Sequence, residues 1–249
     1  MREVRFFYHP EALTSDLLPH DEALHAVRVL RLSEGDEIFI IDGHGAFHRA
    51  VVTMTSAKHC AYSIMETLPQ QPTWHGHIHL AIAPTKNMDR MEWMAEKATE
   101  VGFDELSLVE CRFSERRKIN VERIDKVVVS AVKQSRKAWK PIVNDMTPFA
   151  DFLRQHTTGS RFICHCYDEI ERHDLYELLS RLDKSAGIDT TSPSPEIIVL
   201  IGPEGDFSID EVRQAVAAGW QSVTLGKSRL RTETAGLTAV MMANLAMRV

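Results

Sequence analysis

The residue order predicts a small β-rich unit over residues 1 to about 68, followed from about residue 74 by an α/β domain with a mostly parallel sheet. Three observations carry that expectation. Strand-like and helix-like stretches alternate through the second part, as they do where crossover helices join parallel strands. Residues 197–201 (IIVLI) form an unbroken apolar run, the pattern of a strand covered on both faces. The N-terminal part has short strands joined by glycine turns, which suits a small barrel.

Taken in order, residues 4–9 read as a strand, 20–28 as a short helix and 36–42 (DEIFIID) as a second strand. Asp42-Gly43-His44-Gly45 supplies a turn before strands at 46–54 and 60–66. The polar stretch 68–73, with two prolines, is the natural linker, so domains are expected at 1–70 and 74–249. A strand at 77–83 precedes a helix at 88–101, where Met88, Met91, Met94, Ala95, Ala98 and Val101 recur at helical spacing and Gly102 closes it. After a strand at 106–110, Asn120 caps a helix with Ile124, Val127, Val128, Ala131 and Val132 on its apolar stripe, and Pro141 is expected to stop it. A strand at 162–167, a helix at 175–182 and a polar Pro- and Ser-rich loop at 184–196 lead into the apolar run. Ser208 and Glu211 form a capping box for a helix closed by Gly219. A strand at 222–225 and a last helix from Thr232 or Glu233 complete the chain.

With 249 residues, 44% hydrophobic and 26% charged, the composition is that of a globular protein able to bury a core. No apolar run reaches the length of a membrane span, and residues 1–7 lack a signal-peptide core, so a cytoplasmic protein is expected. The net charge of −6 argues mildly against a nucleic-acid partner, but its distribution argues for one. Between Cys111 and Lys140 ten basic residues face three acidic ones, a concentrated field of the kind phosphates require. A solvated helix face would look similar. No metal is expected. Cys164 and Cys166 would share one strand face and His75, His77 and His79 another, but neither group has a complementary ligand set in sequence.

Chemistry is expected at the carboxyl ends of the parallel strands, where open α/β sheets bind ligands. Ile201 runs into Gly202-Pro203-Glu204-Gly205-Asp206. Leu225 runs into Gly226-Lys227-Ser228-Arg229 and then Leu230-Arg231-Thr232-Glu233-Thr234-Ala235. Glycines there allow close backbone approach, and a helix start beyond them presents N–H groups to a small ligand. Two capped tight turns would satisfy the same spacing. Neither a Gly-x-Gly-x-x-Gly fingerprint, a P-loop nor His-Glu-x-x-His is present.

IGPEG followed by FSIDE, and then LGKSRLRTETA, resembles the signature of the ribosomal RNA small subunit methyltransferase E family. The likeness extends to His25 through Arg31 with Gly35-Asp36, to Lys97-Ala98-Thr99-Glu100-Val101-Gly102, and to Gln134-Ser135-Arg136 with Pro141. Asp206 stands where a second glycine is common, and Ser228-Arg229 where Arg-Ile is frequent. The resemblance implies a SPOUT-type α/β domain with a trefoil knot, a PUA-like N-terminal barrel and a homodimer. It implies transfer of a methyl group from S-adenosylmethionine to N3 of one uridine in 16S ribosomal RNA of the small subunit. Another RNA substrate (transfer RNA or 23S), or a non-catalytic RNA-binding role, remains an alternative on these residues.

By the same resemblance the cofactor is expected against Ile201, Gly202, Gly205, Leu225, Gly226, Ser228 and Leu230, with Thr234 closing the site. The uridine N3–H is weakly acidic, so a group must accept its proton or stabilise the developing anion. Arg231 is the candidate for the anion, and Glu204 or Glu233 for the proton. Arg28, Arg31, Arg116, Arg117, Arg136 and Lys137 are the candidate RNA contacts.

Overall fold

The computed structural model describes residues 5–182 and 195–248. Most of the loop expected at 184–196 therefore lies outside the described residues. The chain divides into two compact units. Residues up to Pro72 together with Val129–Lys140 form the first, and Thr73–Val128 with the chain from Pro141 onward forms the second.

In the first unit β1 (Phe6–Tyr8), β2 (Glu37–Ile41), β3 (Ala46–Thr55) and β4 (Cys60–Pro69) form a sheet in the order β1-β2-β3-β4. β1 pairs parallel with β2 and the other pairs are antiparallel. Strand alternation sends Ile38, Ile40, Ala50 and Val52 into one core with Phe7, Ala23 and Ala26. Tyr62 secures the preceding loop by donating its hydroxyl to the Ser15 carbonyl at 2.8 Å. Helix α1 (His20–Leu24) is shorter than its pattern predicts, because a π-helical turn, His25–Val29, continues it.

The second unit holds β5 (His77–Ile82), α2 (Met88–Val101), β6 (Glu105–Glu110), α3 (Val121–Ser135, whose residues beyond Val128 count with the first unit), β7 (Ile142–Pro148), α4 (Phe149–Gln155) and β8 (Ser160–Cys164). It continues with β9 (His173–Asp174), α5 (Leu175–Ser180), β10 (Glu196–Ile201), α6 (Ile209–Ala217), β11 (Gln221–Thr224) and α7 (Thr232–Met247). The seven strands run in the order β7-β6-β5-β10-β8-β11-β9, and every described pairing among them is parallel. Ile198 and Leu200 pack with Phe149, Phe152, Val212 and Trp220 from the α4 and α6 region. The methionines Met91 and Met94 of α2 are fully buried, as core packing requires. At Gly236 an added Cβ would lie 2.9 Å from Ile82 Cδ1, so α7 lies close against β5.

Three local readings are corrected. The helix expected to run to Pro141 stops at Ser135, because Arg136 turns left-handed at φ 53°. The strand expected at 162–167 ends at Cys164, leaving Cys166 exposed in a loop rather than beside Cys164 on one strand face. β7, α4 and β9 occupy stretches whose patterns announced no element.

Candidate functional site

β8, β11 and β10 are neighbours or next neighbours in the sheet, and their carboxyl ends open into one cavity of about 1080 Å³. Three loops wall it. The first, after β10, contributes Ile201, Gly202, Pro203, Glu204 and Asp206. A Cβ on Gly202 would stand 3.0 Å from the Phe207 ring, so only glycine lets this loop close over the ring. Beyond it the capping box of α6 is complete: Ser208 Oγ accepts from Glu211 N, and the Glu211 carboxylate accepts from Ser208 N at 2.8 Å.

The second loop, after β11, contributes Thr224 through Thr232. Gly226 sits at φ 120°, with open space where a side chain would project. The third loop, after β8, brings Cys164, His165, Cys166, Asp168 and Arg172. Side chains hold it. Arg172 donates to the His165 carbonyl at 3.0 Å and to Asp168, while the Tyr167 N–H is directed to His165 Nδ1 at 3.2 Å. The loops after β8 and β10 are joined by two bonds. Asp206 Oδ2 accepts from Cys166 N at 2.8 Å, and Tyr167 Oη donates to the Phe207 carbonyl at 2.7 Å.

Burial pushes the Cys164 thiol up, and burial followed by the neighbouring Asp206 carboxylate pushes up that of Cys166. Both thiols are therefore protonated at neutral pH and are poor nucleophiles. Burial lowers His165, which is neutral as a result, and its Nε2 is buried without a partner among the described residues. Such a cavity is equipped to bind and orient a small molecule against backbone groups, and offers no activated side-chain nucleophile. Among the described residues no cluster of three or more His, Cys, Asp or Glu is placed to hold a metal ion. His77 and His79 instead meet Glu105 of β6 and Ser107, at 2.9 and 2.8 Å respectively.

Of the residues expected around the cofactor, Ile201, Gly202, Leu225, Gly226, Ser228 and Leu230 line the cavity. Gly205 is exposed outside the lining, with Phe113 Cβ 3.5 Å from the place of its absent Cβ. Thr234, one turn into α7, is not among the lining residues, and its carbonyl accepts the Thr238 hydroxyl at 2.8 Å. Arg231 and Glu204 line the cavity, and Glu204 Oε1 accepts from Lys86 N at 3.0 Å. Glu233 is buried away from the lining: Oε1 stands 3.7 Å from Arg90 Nε, and Oε2 has no partner among the described residues. The sequence reading missed Arg90 and the whole loop after β8. Its only signal was the strand end itself, since Cys164 and Cys166 read simply as strand cysteines.

The basic run is less of a free field than its count suggests. Arg112 pairs with Asp210, Arg117 with Glu110, Arg123 with Glu92, Lys126 with Glu122 and Lys133 with Glu22. Arg116 donates to the carbonyls of Thr85 and Lys86, a bracing role. The run is also divided, Lys133, Arg136, Lys137 and Lys140 belonging to the first unit. There the Arg136 guanidinium lies 5.2 Å over the Phe6 ring, and Arg28 and Arg31 are exposed.

Comparison with known proteins gives these features a context. A model of the RNA methyltransferase domain matches residues 72–244, and one of the RNA methyltransferase PUA domain matches residues 18–62. The crystal structure of a probable rRNA-methyltransferase from Porphyromonas gingivalis is 38% identical, with 98% of each chain covered and a TM-score of 0.84. That of the ribosomal RNA small subunit methyltransferase E from Neisseria gonorrhoeae, bound to S-adenosyl methionine, is 27% identical, covers 96% of this chain and 95% of that one, and has a TM-score of 0.74. The enzyme of the same name from Rickettsia conorii is 26% identical over 92% of this chain and 88% of its own length. Fold and matches together define an RNA methyltransferase of the SPOUT type with a PUA-like N-terminal domain. Within that class the chain belongs to the ribosomal RNA small subunit methyltransferase E family.

Proposed function

We propose that this chain transfers the methyl group of S-adenosylmethionine to N3 of a specific uridine in the 16S ribosomal RNA of the small subunit. It does so as a cytoplasmic homodimer, with residues 1–70 as an RNA-binding domain and 74–249 as the methyl-transfer domain. The observation that carries the reading is the cavity of about 1080 Å³ at three parallel strand ends, inside a family RNA methyltransferase domain. Its residues fit the cofactor. The volume suits a nucleoside with an amino-acid arm, and Gly226 leaves backbone open along one wall. The position of β10 between β5 and β8 supports the knotted path that the family resemblance implies. Met241 and Leu245, each nearly half exposed on α7, support a subunit contact there.

When bound, the cofactor supplies an electrophilic methyl group on a sulfonium. The chain's own residues then have three tasks. Backbone at 201–204 and 225–230, which lines the cavity, holds the donor in line with the acceptor, since positioning supplies much of the acceleration of a displacement. Arg231, at the cavity and at the start of α7, faces the negative charge that develops on the uracil. Glu204 takes the N3 proton. Its place on the lining favours it over Glu233, whose carboxylate is buried beside Arg90 and positions that arginine. The uridine must leave its stack to reach this site. Arg28, Arg31, Arg136 and Lys137 of the first unit and Arg117 of the second grip the RNA backbone, while Arg116, engaged with the Thr85 and Lys86 carbonyls, braces the second unit.

Mass spectrometry of 16S RNA from a strain lacking the protein tests the assignment. Loss of 3-methyluridine at one position is expected. Its persistence would overturn the substrate, and a missing mark in transfer RNA or 23S RNA would redirect it.

A further inference from the structure

Asp206 holds a left-handed backbone conformation, φ 68°, that glycine would adopt without strain. Aspartate tolerates such a turn because its carboxylate can bond locally, and here Oδ1 accepts from Phe207 N at 2.8 Å. Local bonding accounts for one oxygen only. The other reaches across to the loop after β8 and accepts the Cys166 N–H. One residue along on each side, the Tyr167 hydroxyl donates a second bond to the Phe207 carbonyl. The loop after β8 thus donates both cross-links, one from its backbone and one from a side chain, and the loop after β10 accepts both. Beyond Cys164 the third wall has no strand or helix until His173, so side chains must fix it.

We propose that Asp206 and Tyr167 form a latch that holds the loop after β8 in place as the third wall of the cavity, and that both are positioning residues for the methyl donor. This rests on the reading of the cavity as the S-adenosylmethionine site. A wall ordered before binding spares the ligand the entropic cost of ordering it, so the latch acts on affinity more than on chemistry. Neither side chain needs to touch the reacting atoms.

Asp206→Gly separates the latch from the backbone. It keeps the left-handed turn free of strain while removing both acceptors. Tyr167→Phe removes only the second bond, the one the hydroxyl donates. In the cofactor-free protein, hydrogen exchange at the Cys166 amide is expected to speed up about tenfold in Asp206→Gly, with the thermal midpoint unchanged or raised. By isothermal titration the Kd for S-adenosylmethionine is expected to rise about tenfold in Asp206→Gly, a loss of one charged hydrogen bond. Asp206→Asn, which keeps one acceptor for Cys166, recovers part of that loss. KM for the cofactor rises in both loop variants while kcat at saturation stays within about twofold. A double-mutant cycle of the two changes is expected to show coupling, since both act on one contact. Wild-type protein that ignores the cofactor would sink the functional reading. Wild-type protein that binds it, with Asp206→Gly and Tyr167→Phe binding equally well, would sink the latch alone.

Discussion

Gly202 ends β10 where a methyl group would press on the Phe207 ring at 3.0 Å and on the Phe207 backbone nitrogen at 3.1 Å. Gly202→Ala must move that loop or that ring, so a loss of about 1–3 kcal/mol in chemical denaturation is expected, the usual cost of overpacking. Cofactor affinity should fall with it. Arg136 is a different case. It is exposed and held over Phe6, so Arg136→Ala should weaken RNA binding and reduce the salt slope by about one while leaving cofactor affinity intact. An unchanged slope in a filter-binding series would remove Arg136 from the RNA surface. The glycines were legible in the sequence because a loop at a strand end that must approach a ligand has few other residues to use. His165, Cys166 and Asp206 were not legible as a group. Their meeting depends on β8 pairing with both β10 and β11, a tertiary fact no local pattern encodes.

Among the elements, chemical punctuation made two of the helices readable. Asn87 caps α2 by accepting from Asp89 N, and Gly102 closes that helix at φ 117°. The α6 capping box is complete down to both reciprocal bonds. Ser208→Ala should therefore cost about 1 kcal/mol, read as a lower denaturation midpoint. Glu211→Ala should cost more, because Glu211 Oε1 also accepts the Arg112 N–H at 2.8 Å. A smaller effect for Glu211 than for Ser208 would contradict that sharing. β7 escaped notice for a physical reason. It is an edge strand with polar and half-exposed positions, and its Asn144 side chain turns inward to Glu105 and Ser107. β9 has only two residues, too few to carry a period. The end of α3 misled because Pro141 marks only the last place a helix can reach, whereas a left-handed Arg136 ends it sooner.

At the scale of the whole molecule, stability should depend on pH through the histidines of the parallel sheet. Burial lowers His79 to about 4, and burial also lowers His156, whose ring lies 5.0 Å away. Both sit below the unfolded value of 6.5, so the unfolded chain binds more protons and stability falls as pH drops from 6.5 toward 4. His77 opposes this. Its hydrogen bond to Glu105 raises it, so its contribution is full below 6.5 and fades as pH climbs through the raised value. Glu105, lowered to about 2 chiefly by that bond, contributes above 4.5 and loses the contribution toward pH 2. His79→Gln should flatten the melting temperature between pH 6.5 and 4 by roughly the one proton it removes. An identical acid limb in the variant would clear His79 of the effect.

The strand order of the large sheet also has a temporal side. β10 lies between β5 and β8, and Glu196 pairs with His77 from the far side of the intervening chain. Until residue 201 has left the ribosome, Ile82 and Ile163 have no neighbour to complete their ladders, and the centre of the sheet stays open. Non-local pairing of this kind slows folding and leaves apolar edges exposed meanwhile. A nascent chain arrested before β10 should therefore be sticky and bound by chaperones, whereas one released beyond α7 should not. The cavity, built on the ends of β8, β10 and β11, is then among the last parts of the protein to come into being.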